Sequence, residues 1–266
     1  MYDSFNRNIN YLRISVTDRC NLRCTYCMPA EGVPLMRHED ILSFDEIVEV
    51  VKVGVKLGIR KVRITGGEPL VRKNIVGLIR MLRAIPEIKD LSMTTNGILL
   101  PKFAVDLKEA GITRINISLD TMDETAYNKI TRLGFLDELF AGIEAAKCVG
   151  FNPIKINCVI KESPNEPNAI AVKKYCTENN LIIRYIREMD LEEGLFWQVN
   201  GGDGGDCINC NRLRLTSNGK IKPCLFNNLE YDVRKMGAEN AFLAAVKNKP
   251  ACGTANNINH FNNIGG

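Results

Sequence analysis

Between Tyr11 and about Glu188, segments with two different patterns of hydrophobic and polar positions alternate along the chain. Short β-branched runs are separated by longer stretches in which apolar residues recur every three or four positions. This alternation is typical of successive βα units around a parallel sheet. The pattern predicts six strands, at Tyr11 to Thr17, Lys61 to Thr65, Leu91 to Thr95, Arg114 to Asp120, Ile154 to Ile160 and Ile182 to Arg187.

Glycines mark the ends of two of the predicted helices. A stretch of helical period begins at Phe44 and ends at Gly58, and a second runs from Leu136 to Val149 before Gly150. Six βα units are fewer than a closed barrel needs, so we expect an incomplete (β/α)6 TIM-like barrel, an α/β fold. In barrels of this kind, the loops after the carboxyl ends of the strands carry the site.

The pattern changes after Asp190. Residues 191–206 are rich in glycine towards their end and are predicted to form a flexible linker. Beyond them, two short apolar runs flank Ser217-Asn218-Gly219, a turn signal that predicts a β-hairpin from Arg212 to Cys224. A helix is predicted from Asn240 to Lys247, and the tail from Pro250 is predicted to be extended. The predicted organisation is a partial barrel at 1–190, the linker, and a small β-hairpin and helix extension at 207–266.

Composition narrows the classes of protein that the chain can belong to. No run approaches the roughly 20 apolar residues of a membrane span, and the segment from Met1 to Arg13 lacks the apolar core of a signal peptide. We therefore expect a cytoplasmic protein without a membrane partner. The formal net charge is only +4, so nothing demands a nucleic acid as partner.

Cysteine spacing carries the strongest chemical signal. Six of the ten cysteines form two spaced triads, and close thiols in a chain without secretory features are typical of metal ligands. The triads are Cys20, Cys24 and Cys27, and Cys207, Cys210 and Cys224. The other four cysteines lie singly and are predicted to be small buried hydrophobes without chemistry: Cys148, Cys158, Cys176 and Cys252.

The two triads differ in how strongly the residues near them in sequence exclude a zinc site. No nearby His or Cys completes a tetrahedral zinc site at the first triad, whereas a cubane iron-sulfur cluster held by three cysteines keeps one iron open to another ligand. At the second triad a structural zinc knuckle remains an alternative, with His260 as the only histidine near in sequence. Arg212 and Arg214 lie on one face of the strand that follows Cys210, which favours an anionic ligand there.

Strand ends and basic strand positions supply further binding candidates. Gly66-Gly67-Glu68 ends the second strand, where missing Cβ atoms would let a ligand approach and the carboxylate could accept from its ammonium group. Thr94 and Ser118 lie at equivalent places on the next two strands. Basic side chains within buried strands are costly unless they line an anion-filled lumen, and their convergence indicates a polyphosphate ligand. These residues are Arg13, Lys61, Arg63, Lys155 and Arg184.

The first triad, with Tyr26 before its last cysteine, resembles the radical S-adenosylmethionine superfamily, and Gly66-Gly67-Glu68 resembles that superfamily's methionine-binding motif. Within it, the chain resembles most the GTP 3′,8-cyclases of molybdenum cofactor biosynthesis. The matching motifs are Ser15-Val-Thr-Asp-Arg-Cys-Asn, Cys27-Met-Pro, Arg63-Ile-Thr-Gly-Gly-Glu-Pro-Leu, Asn116-Ile-Ser-Leu-Asp, Ile183-Arg-Tyr-Ile-Arg-Glu-Met-Asp, Cys210-Asn-Arg-Leu-Arg-Leu and the terminal Ile264-Gly265-Gly266.

The resemblance implies a lyase with S-adenosylmethionine and two [4Fe-4S] clusters, the second on the C-terminal extension. In that family a 5′-deoxyadenosyl radical abstracts hydrogen from C3′ of GTP, and the sugar radical attacks C8 of guanine. By position, S-adenosylmethionine would contact Tyr26, Gly67, Ser118 and Met189, with Gly66 and Glu68 beside them. GTP would be held by Arg13, Arg63, Thr94, Lys155, Arg212 and Arg214, with Lys61 and Arg184 added from their strand positions. Its base would lie on the open iron of the second cluster, and Gly265-Gly266 would reach into the same lumen.

The resemblance also implies partners for the protein, and it leaves two alternative hypotheses about its function open. A reductant such as flavodoxin or ferredoxin would supply electrons, and dimerisation is left open. Only Leu191 to Val199 and the glycine-rich stretch join Asp190 to Cys207, where the family has several tens of residues more. This departure predicts a more open or differently shaped pocket, and it keeps a second hypothesis in view, a two-cluster enzyme that modifies a peptide or another nucleotide. A non-catalytic iron-sulfur or zinc protein would not need Gly67, Glu68 and Ser118.

Overall fold

A single nine-stranded sheet organises residues 1–265, the part of the chain that the computed structural model describes. The strand order across the sheet is β6-β5-β4-β3-β2-β1-β7-β8-β9. The strands are β1 Tyr11–Ser15, β2 Lys61–Thr65, β3 Asp90–Thr95, β4 Arg114–Ser118, β5 Ile154–Ile160, β6 Ile182–Arg187, β7 Arg212–Leu215, β8 Lys220–Lys222 and β9 Tyr231–Asp232. The helices are α1 Phe44–Lys56, α2 Ile75–Arg83, α3 Leu100–Glu109, α4 Glu124–Thr131, α5 Leu136–Cys148, α6 Pro167–Glu178, α7 Val233–Met236, α8 Ala238–Lys247 and α9 Phe261–Ile264.

The first six strands are parallel, and each pairs with the next in chain order. Helices follow β1 to β5, so these strands and helices form the predicted βα units. Along each strand, alternate side chains face the helices and the lumen. In β1, Leu12 and Ile14 are fully buried, and Arg13 lies between them on the opposite face. The prediction of an α/β fold with an incomplete parallel barrel is confirmed.

The predicted helix boundaries hold where local capping chemistry was clear. Ser43 accepts a hydrogen bond from the Glu46 amide, and Glu46 accepts one from the Ser43 amide, which is a complete capping box at the start of α1. Gly58, just past its end, has φ +111°, a conformation that glycine adopts without steric cost. α5 likewise ends before Gly150, where φ is +74°.

The C-terminal region continues the barrel sheet. β7 pairs in parallel with β1, which places Arg214 opposite Arg13, and β8 and β9 follow antiparallel. α8 packs on α1, where a Cβ on Gly54 would lie only 2.8 Å from the ring of Phe242. Leu213, Phe242 and the barrel residues therefore belong to one hydrophobic core.

The tail is not extended throughout, so that prediction was wrong. Residues Phe261–Ile264 form a short helix, because Phe261 and Ile264 are three positions apart and both pack into a small apolar cluster. The cluster also contains Leu191, Leu225 and Phe226.

Residues 191–206 begin after β6, which is the edge strand of the sheet. They end before β7, which lies beside β1 on the opposite side of the parallel strands. Tyr185 and Asn200 form an isolated bridge, and so do Asp190 and Leu195. The predicted linker therefore spans the open side of the partial barrel. Among the described helices, none combines the length and apolar character that a membrane crossing requires.

Candidate active site

The first cysteine triad lies in the loop after β1, at the carboxyl ends of the strands. Backbone hydrogen bonds extend the β1–β2 pairing into this loop, from Gly67 N to Thr17 O and from Glu68 N to Arg19 O, each 2.8 Å. The amides of Cys27 and Met28 both donate to Cys24 O, which forms a tight turn around the last two thiols. Main-chain hydrogen bonds therefore fix the conformation of the loop.

The outer side of the loop rests on α4. Arg23 N donates to Thr131 O at 3.0 Å, and Thr25 N donates to Ile130 O at 2.9 Å. The Arg132 guanidinium donates to Arg23 O and Met28 O at 2.8 and 2.9 Å, and so joins the two ends of the segment that carries Cys24 and Cys27. These contacts fix the spacing of the thiols through the backbone.

The glycine pair after β2 serves this loop as well as a ligand. A Cβ on Gly67 would lie 2.3 Å from Arg19 O, and one on Gly66 would lie 2.9 Å from Thr17 O. Since real Cβ atoms do not approach carbonyl oxygens so closely, both positions require glycine for packing. From the sequence, the missing Cβ atoms were attributed to ligand access alone. The packing of Gly66 and Gly67 against the main chain of the cysteine loop is a second reason for them.

Glu68 is buried and links two neighbouring strand ends. Its carboxylate accepts from Thr95 Oγ1 at 2.8 Å, from Asn96 N at 2.7 Å and from Leu70 N at 3.0 Å. Burial raises the pKa of Glu68 to about 7, although these three donors act to lower it. One oxygen, Oε2, accepts only from Asn96 N among these donors and can take a further donor from the cavity.

Tyr26 turns back from the cysteine loop towards β4. Its hydroxyl donates to Asp120 Oδ2 at 2.8 Å, and Asp120 Oδ1 accepts from Val159 N at 2.7 Å. Burial raises the pKa of Asp120 to about 6. The pair ties the triad loop to β4 and β5.

Both triads line one cavity of about 340 Å³ on the lumen side of the sheet. This volume lies within the range of ordinary ligand pockets. The predicted residues that line it are Cys20, Cys24, Tyr26, Cys27, Gly66, Gly67, Glu68, Ser118, Met189, Arg13, Arg63, Thr94, Arg184, Arg212, Arg214, Cys207, Cys210 and Cys224.

Two predicted ligand residues do not line this cavity. Lys61 is exposed at the start of β2 and lines a second cavity, of about 320 Å³, with Tyr11, Arg114 and Asn211. Lys155 lines neither cavity, although it pairs in register with Asn116, which lines the main one. Lys61 and Lys155 are the first and second residues of their strands, and their part in binding the same ligand as the other strand cations stays a prediction.

The second triad is held by a residue that the sequence argument did not select, Lys249. Its buried ammonium donates to Arg212 O at 2.8 Å and to Pro223 O at 2.6 Å, and so joins the segments that carry Cys210 and Cys224. Burial raises the pKa of the Cys210 thiol, but Lys249 and Arg212 outweigh it and lower the pKa to about 7. A thiolate is thus favoured at this position.

Six arginines line the cavity, and the charges of several of them repel one another. Burial, together with the neighbouring charge of Arg212, lowers the pKa of Arg214 to about 10. Burial also lowers the pKa of Arg13, and Arg214 and Arg63 add to the effect. An anionic ligand between these side chains would remove a repulsion that the folded chain otherwise bears.

Comparison with known proteins identifies the family. Residues 14–170 match the model of the radical SAM superfamily, which is more than half of the chain. The chain is 42% identical to the GTP 3′,8-cyclase of Thermodesulfovibrio yellowstonii, with 89% of this chain and 88% of that protein covered. It is also 42% identical to the GTP 3′,8-cyclase of Moorella thermoacetica, with 92% and 91% covered.

The chain belongs to the GTP 3′,8-cyclase family of radical SAM proteins.

Solved structures agree on the fold of this cyclase-family chain. Streptococcus suis SuiB, in a structure bound to S-adenosylmethionine, superposes with a TM-score of 0.66 at 16% identity, covering 92% of this chain and 65% of that one. The cyclase of T. yellowstonii aligns over 282 positions, more than the 266 residues of this chain, so that relative carries residues that this chain lacks.

The first triad fits the [4Fe-4S] cluster that the radical SAM family implies. Burial raises the pKa of Cys20 to about 11 and that of Cys27 to about 12, so three neighbouring thiolates need a strongly cationic partner. Within residues 1–265, no group of three or more His, Cys, Asp or Glu side chains is arranged around a single metal ion. Three cysteine ligands suit the [4Fe-4S] cluster that the family implies, whereas a structural zinc site needs a fourth ligand.

The family's C-terminal tail returns to the lumen in this chain. The Arg214 guanidinium donates to Gly265 O, and a Cβ on Gly265, whose φ is +68°, would meet Thr65 Oγ1 at 2.1 Å. Gly265 therefore lies against the end of β2, beside Gly66. Gly266, which was predicted to reach the same place, lies outside the described residues.

Several contributors to the site carried no local sequence signal. Asp120 is the last residue of the Asn116-Ile-Ser-Leu-Asp motif, and Lys249 lies in a loop with a polar surrounding sequence. Phe196 and Phe226, which stack with ring centroids 4.5 Å apart, close the cavity beside the second triad. They come from segments 30 residues apart, and only the folded chain places them together.

Proposed function

We propose that this chain is a GTP 3′,8-cyclase with two [4Fe-4S] clusters that catalyses the first step of molybdenum cofactor biosynthesis. The observation that carries the proposal is that two three-cysteine sites and six arginines line one cavity. Family membership supports the same conclusion.

Residues of the N-terminal site would hold the radical-forming cofactors. Cys20, Cys24 and Cys27 would ligate one cluster, and the strand-end residues Gly66 to Glu68, with Ser118, Tyr26 and Met189, would hold S-adenosylmethionine beside it. When bound, these groups supply a 5′-deoxyadenosyl radical that takes hydrogen from C3′ of GTP, so that C3′ can bond to C8 of guanine.

Residues on the other side of the lumen would hold the substrate. Arg13, Arg63 and Arg184 would supply positive charge for a triphosphate, and Arg212 and Arg214 would add to it from β7, the strand that follows Cys210. Thr94 adds a hydroxyl on β3. Cys207, Cys210 and Cys224 would hold the second cluster, whose open iron would fix the guanine base, so that sugar and radical meet in one orientation.

The short segment between Asp190 and Cys207 is compatible with this assignment. Phe196, Trp197 and Val199 line the cavity, and Arg187 lies over the Trp197 ring at 3.8 Å from its centroid. A compact segment therefore supplies the wall for which relatives use more residues. The electron donor, expected to be a flavodoxin or ferredoxin, and the oligomeric state stay predictions.

The test is turnover by the anaerobically reconstituted full-length protein. GTP deuterated at C3′ is incubated with S-adenosylmethionine and a chemical reductant, and the products are analysed by mass spectrometry. We expect a cyclised nucleotide together with 5′-deoxyadenosine that carries the deuterium. Cys148, at the end of α5, is exposed, so its prediction as a buried hydrophobe was wrong, and a Cys148→Ser variant should behave as the wild type does.

Two results would contradict the proposal in different ways. Formation of 5′-deoxyadenosine without a cyclised nucleotide would remove GTP as substrate while keeping the radical chemistry. Peptide or another nucleotide would then be screened for deuterium exchange. Failure to cleave S-adenosylmethionine in a protein with full iron content would remove the radical chemistry itself.

A further inference from the structure

A fourth cysteine, Cys252, lies beside the three cysteines of the second triad. Cys252 Sγ is 3.1 Å from Cys207 Sγ, although the two residues are 45 positions apart in the chain. Cys252 is exposed, so its predicted place as a small buried hydrophobe was wrong. The next residue, Gly253, also packs at the triad, because a Cβ there would lie 3.3 Å from Cys224 Sγ.

The contact is built by a buried arginine. Arg7 Nη1 donates to Cys207 O at 2.7 Å and to Ala251 O at 2.9 Å, and Nη2 donates to Pro250 O at 2.6 Å. Asp3 holds the same guanidinium through Nε at 2.6 Å, and both side chains are nearly inaccessible to solvent. One cation thus binds the backbone on both sides of the thiol pair.

The spacing of the pair discriminates between three uses of Cys252. Terminal thiolates of a cubane point away from its corners, so two sulfurs in contact cannot both ligate one cluster. Around a single tetrahedral ion neighbouring sulfurs stand about 3.8 Å apart, given metal–sulfur bonds of about 2.3 Å. No single-ion cluster of ligands exists within residues 1–265. Two sulfurs in direct contact are suited to a disulfide, which needs only a further approach to about 2.05 Å.

We propose that Cys207 and Cys252 form a reversible disulfide that caps the second site when an oxidant removes its cluster. The proposal rests on the proposed function only in that Cys207 is a cluster ligand. In the cap, two S–H bonds break and one S–S bond forms. The two thiols lose two electrons and two protons, which reduce a peroxide to two waters or a small disulfide to two thiols.

The cap has two consequences for the site. With Cys207 engaged, only Cys210 and Cys224 of the second triad remain, which is too few to hold a cubane. Cys207 is also protected from oxidation to a sulfinic acid, which thiols cannot reverse. A dithiol restores Cys207 and Cys252, after which the cluster can be rebuilt.

The experiment follows the fate of Cys207 in the full-length protein. Anaerobically reconstituted wild type, Cys252→Ser and Cys148→Ser are exposed to hydrogen peroxide, and in a parallel arm the apo-proteins are exposed to oxidised glutathione. Peptide mapping under non-reducing conditions then identifies crosslinks and oxidised cysteines. Iron is counted before oxidation, after oxidation, and after dithiothreitol followed by reconstitution.

We expect a Cys207–Cys252 crosslinked peptide, with a loss of two hydrogen masses, in the wild type and in Cys148→Ser. In Cys252→Ser we expect no crosslink, a gain of two oxygen atoms at Cys207, and loss of the iron of the second site after reduction and reconstitution. Arg7→Lys should form the crosslink more slowly, because one ammonium cannot bind both segments as the guanidinium does.

Several outcomes would overturn the proposal. These are a crosslink of Cys207 with Cys210 or Cys224, equal sulfinic acid at Cys207 with and without Cys252, or a thiol pair that binds zinc in the wild type and thereby escapes oxidation. None of these readouts uses GTP. If the crosslink forms but no cyclised nucleotide is made in the turnover assay, the proposed function fails and the cap stands.

Discussion

Gly67 shows how one residue serves both a loop and a ligand. Its missing Cβ leaves room for Arg19 O and Asp18 O, which would lie 2.3 and 3.0 Å from that atom, and its amide donates to Thr17 O. The main chain of the Cys20 loop therefore rests directly on the end of β2. Any side chain at this position moves the backbone that leads to Cys20.

We expect Gly67→Ala to fold but to lose the N-terminal cluster. The added methyl meets main-chain atoms, and overpacking of this kind costs about 1–3 kcal/mol. Iron per chain in the anaerobically reconstituted variant should fall to roughly half of the wild-type value, since only the second triad remains intact. Iron analysis and electron paramagnetic resonance measure the loss.

Gly77→Ala is the matched control for this prediction. A Cβ on Gly77 would meet the side chain of Asn74 at 2.8 Å rather than main chain, and helix α2 gains about 1 kcal/mol from alanine. Full iron content in Gly67→Ala would show that the loop tolerates the displacement and would refute the argument.

At the scale of elements, an ion pair between Glu46 and Arg234 links α1 to α7 in the C-terminal region. Glu46 caps α1 and accepts from the Arg234 guanidinium on α7, with Nε 2.7 Å from Oε1. The Arg234 side chain also donates to Glu39 O and Ile41 O ahead of the helix. The pair therefore fixes the start of α1, the first helix after the cysteine loop, against the extension.

We expect Glu46→Gln to lower stability in a pH-dependent way. The hydrogen bond from Arg234 lowers the pKa of Glu46 to about 2, despite partial burial. A carboxyl group with a lowered pKa stabilises the fold above its unfolded value, near 4.5, and that stabilisation is lost as the pH falls towards 2. Urea midpoints of wild type and variant should differ at pH 7 and converge near pH 2.

Glu49→Gln on the same helix separates this effect from a general loss of charge. Glu49 pairs only with the exposed Lys52, at 2.7 Å, and exposed pairs contribute little. Its urea midpoint should match the wild type at both pH values. A pH-independent difference for Glu46→Gln would contradict the ionic explanation.

At the scale of the whole molecule, residues 191–206 decide the shape and charge of the lumen. They cross between the two edges of the parallel strands and place Asp203 at both cavities. Burial raises the pKa of Asp203, but Arg212, Arg184 and Arg63 outweigh it and lower the pKa. One carboxylate thus partly neutralises the arginines that would bind a triphosphate.

We expect Asp203→Asn to bind GTP roughly three- to tenfold more tightly, because a charge of the same sign as the triphosphate is removed from a partly screened cavity. Binding is measured anaerobically by equilibrium dialysis without S-adenosylmethionine, so that no turnover occurs. Glu193→Gln, an exposed acid in the same segment, removes the same charge away from the cavity and should leave the affinity unchanged. Unchanged or weaker binding by Asp203→Asn would place the phosphates elsewhere.

The sequence by itself determined most of the parallel barrel. Strand and helix positions followed from hydrophobic period, Gly58 and Gly150 marked helix ends, and the spacing of Cys20, Cys24 and Cys27 with Tyr26 indicated the cluster loop. These signals are local, because periodicity, capping and ligand spacing each depend on residues close together in the chain.

Only the tertiary structure decided which distant segments meet. Pairing of β7 with β1 joined the C-terminal region to the barrel and placed Arg214 opposite Arg13. Cys252 contacts Cys207, 45 positions away in the chain, because Arg7 binds the backbone beside both residues. Such contacts depend on backbone hydrogen bonds and on buried charges between remote segments, and no period or spacing in the sequence records them.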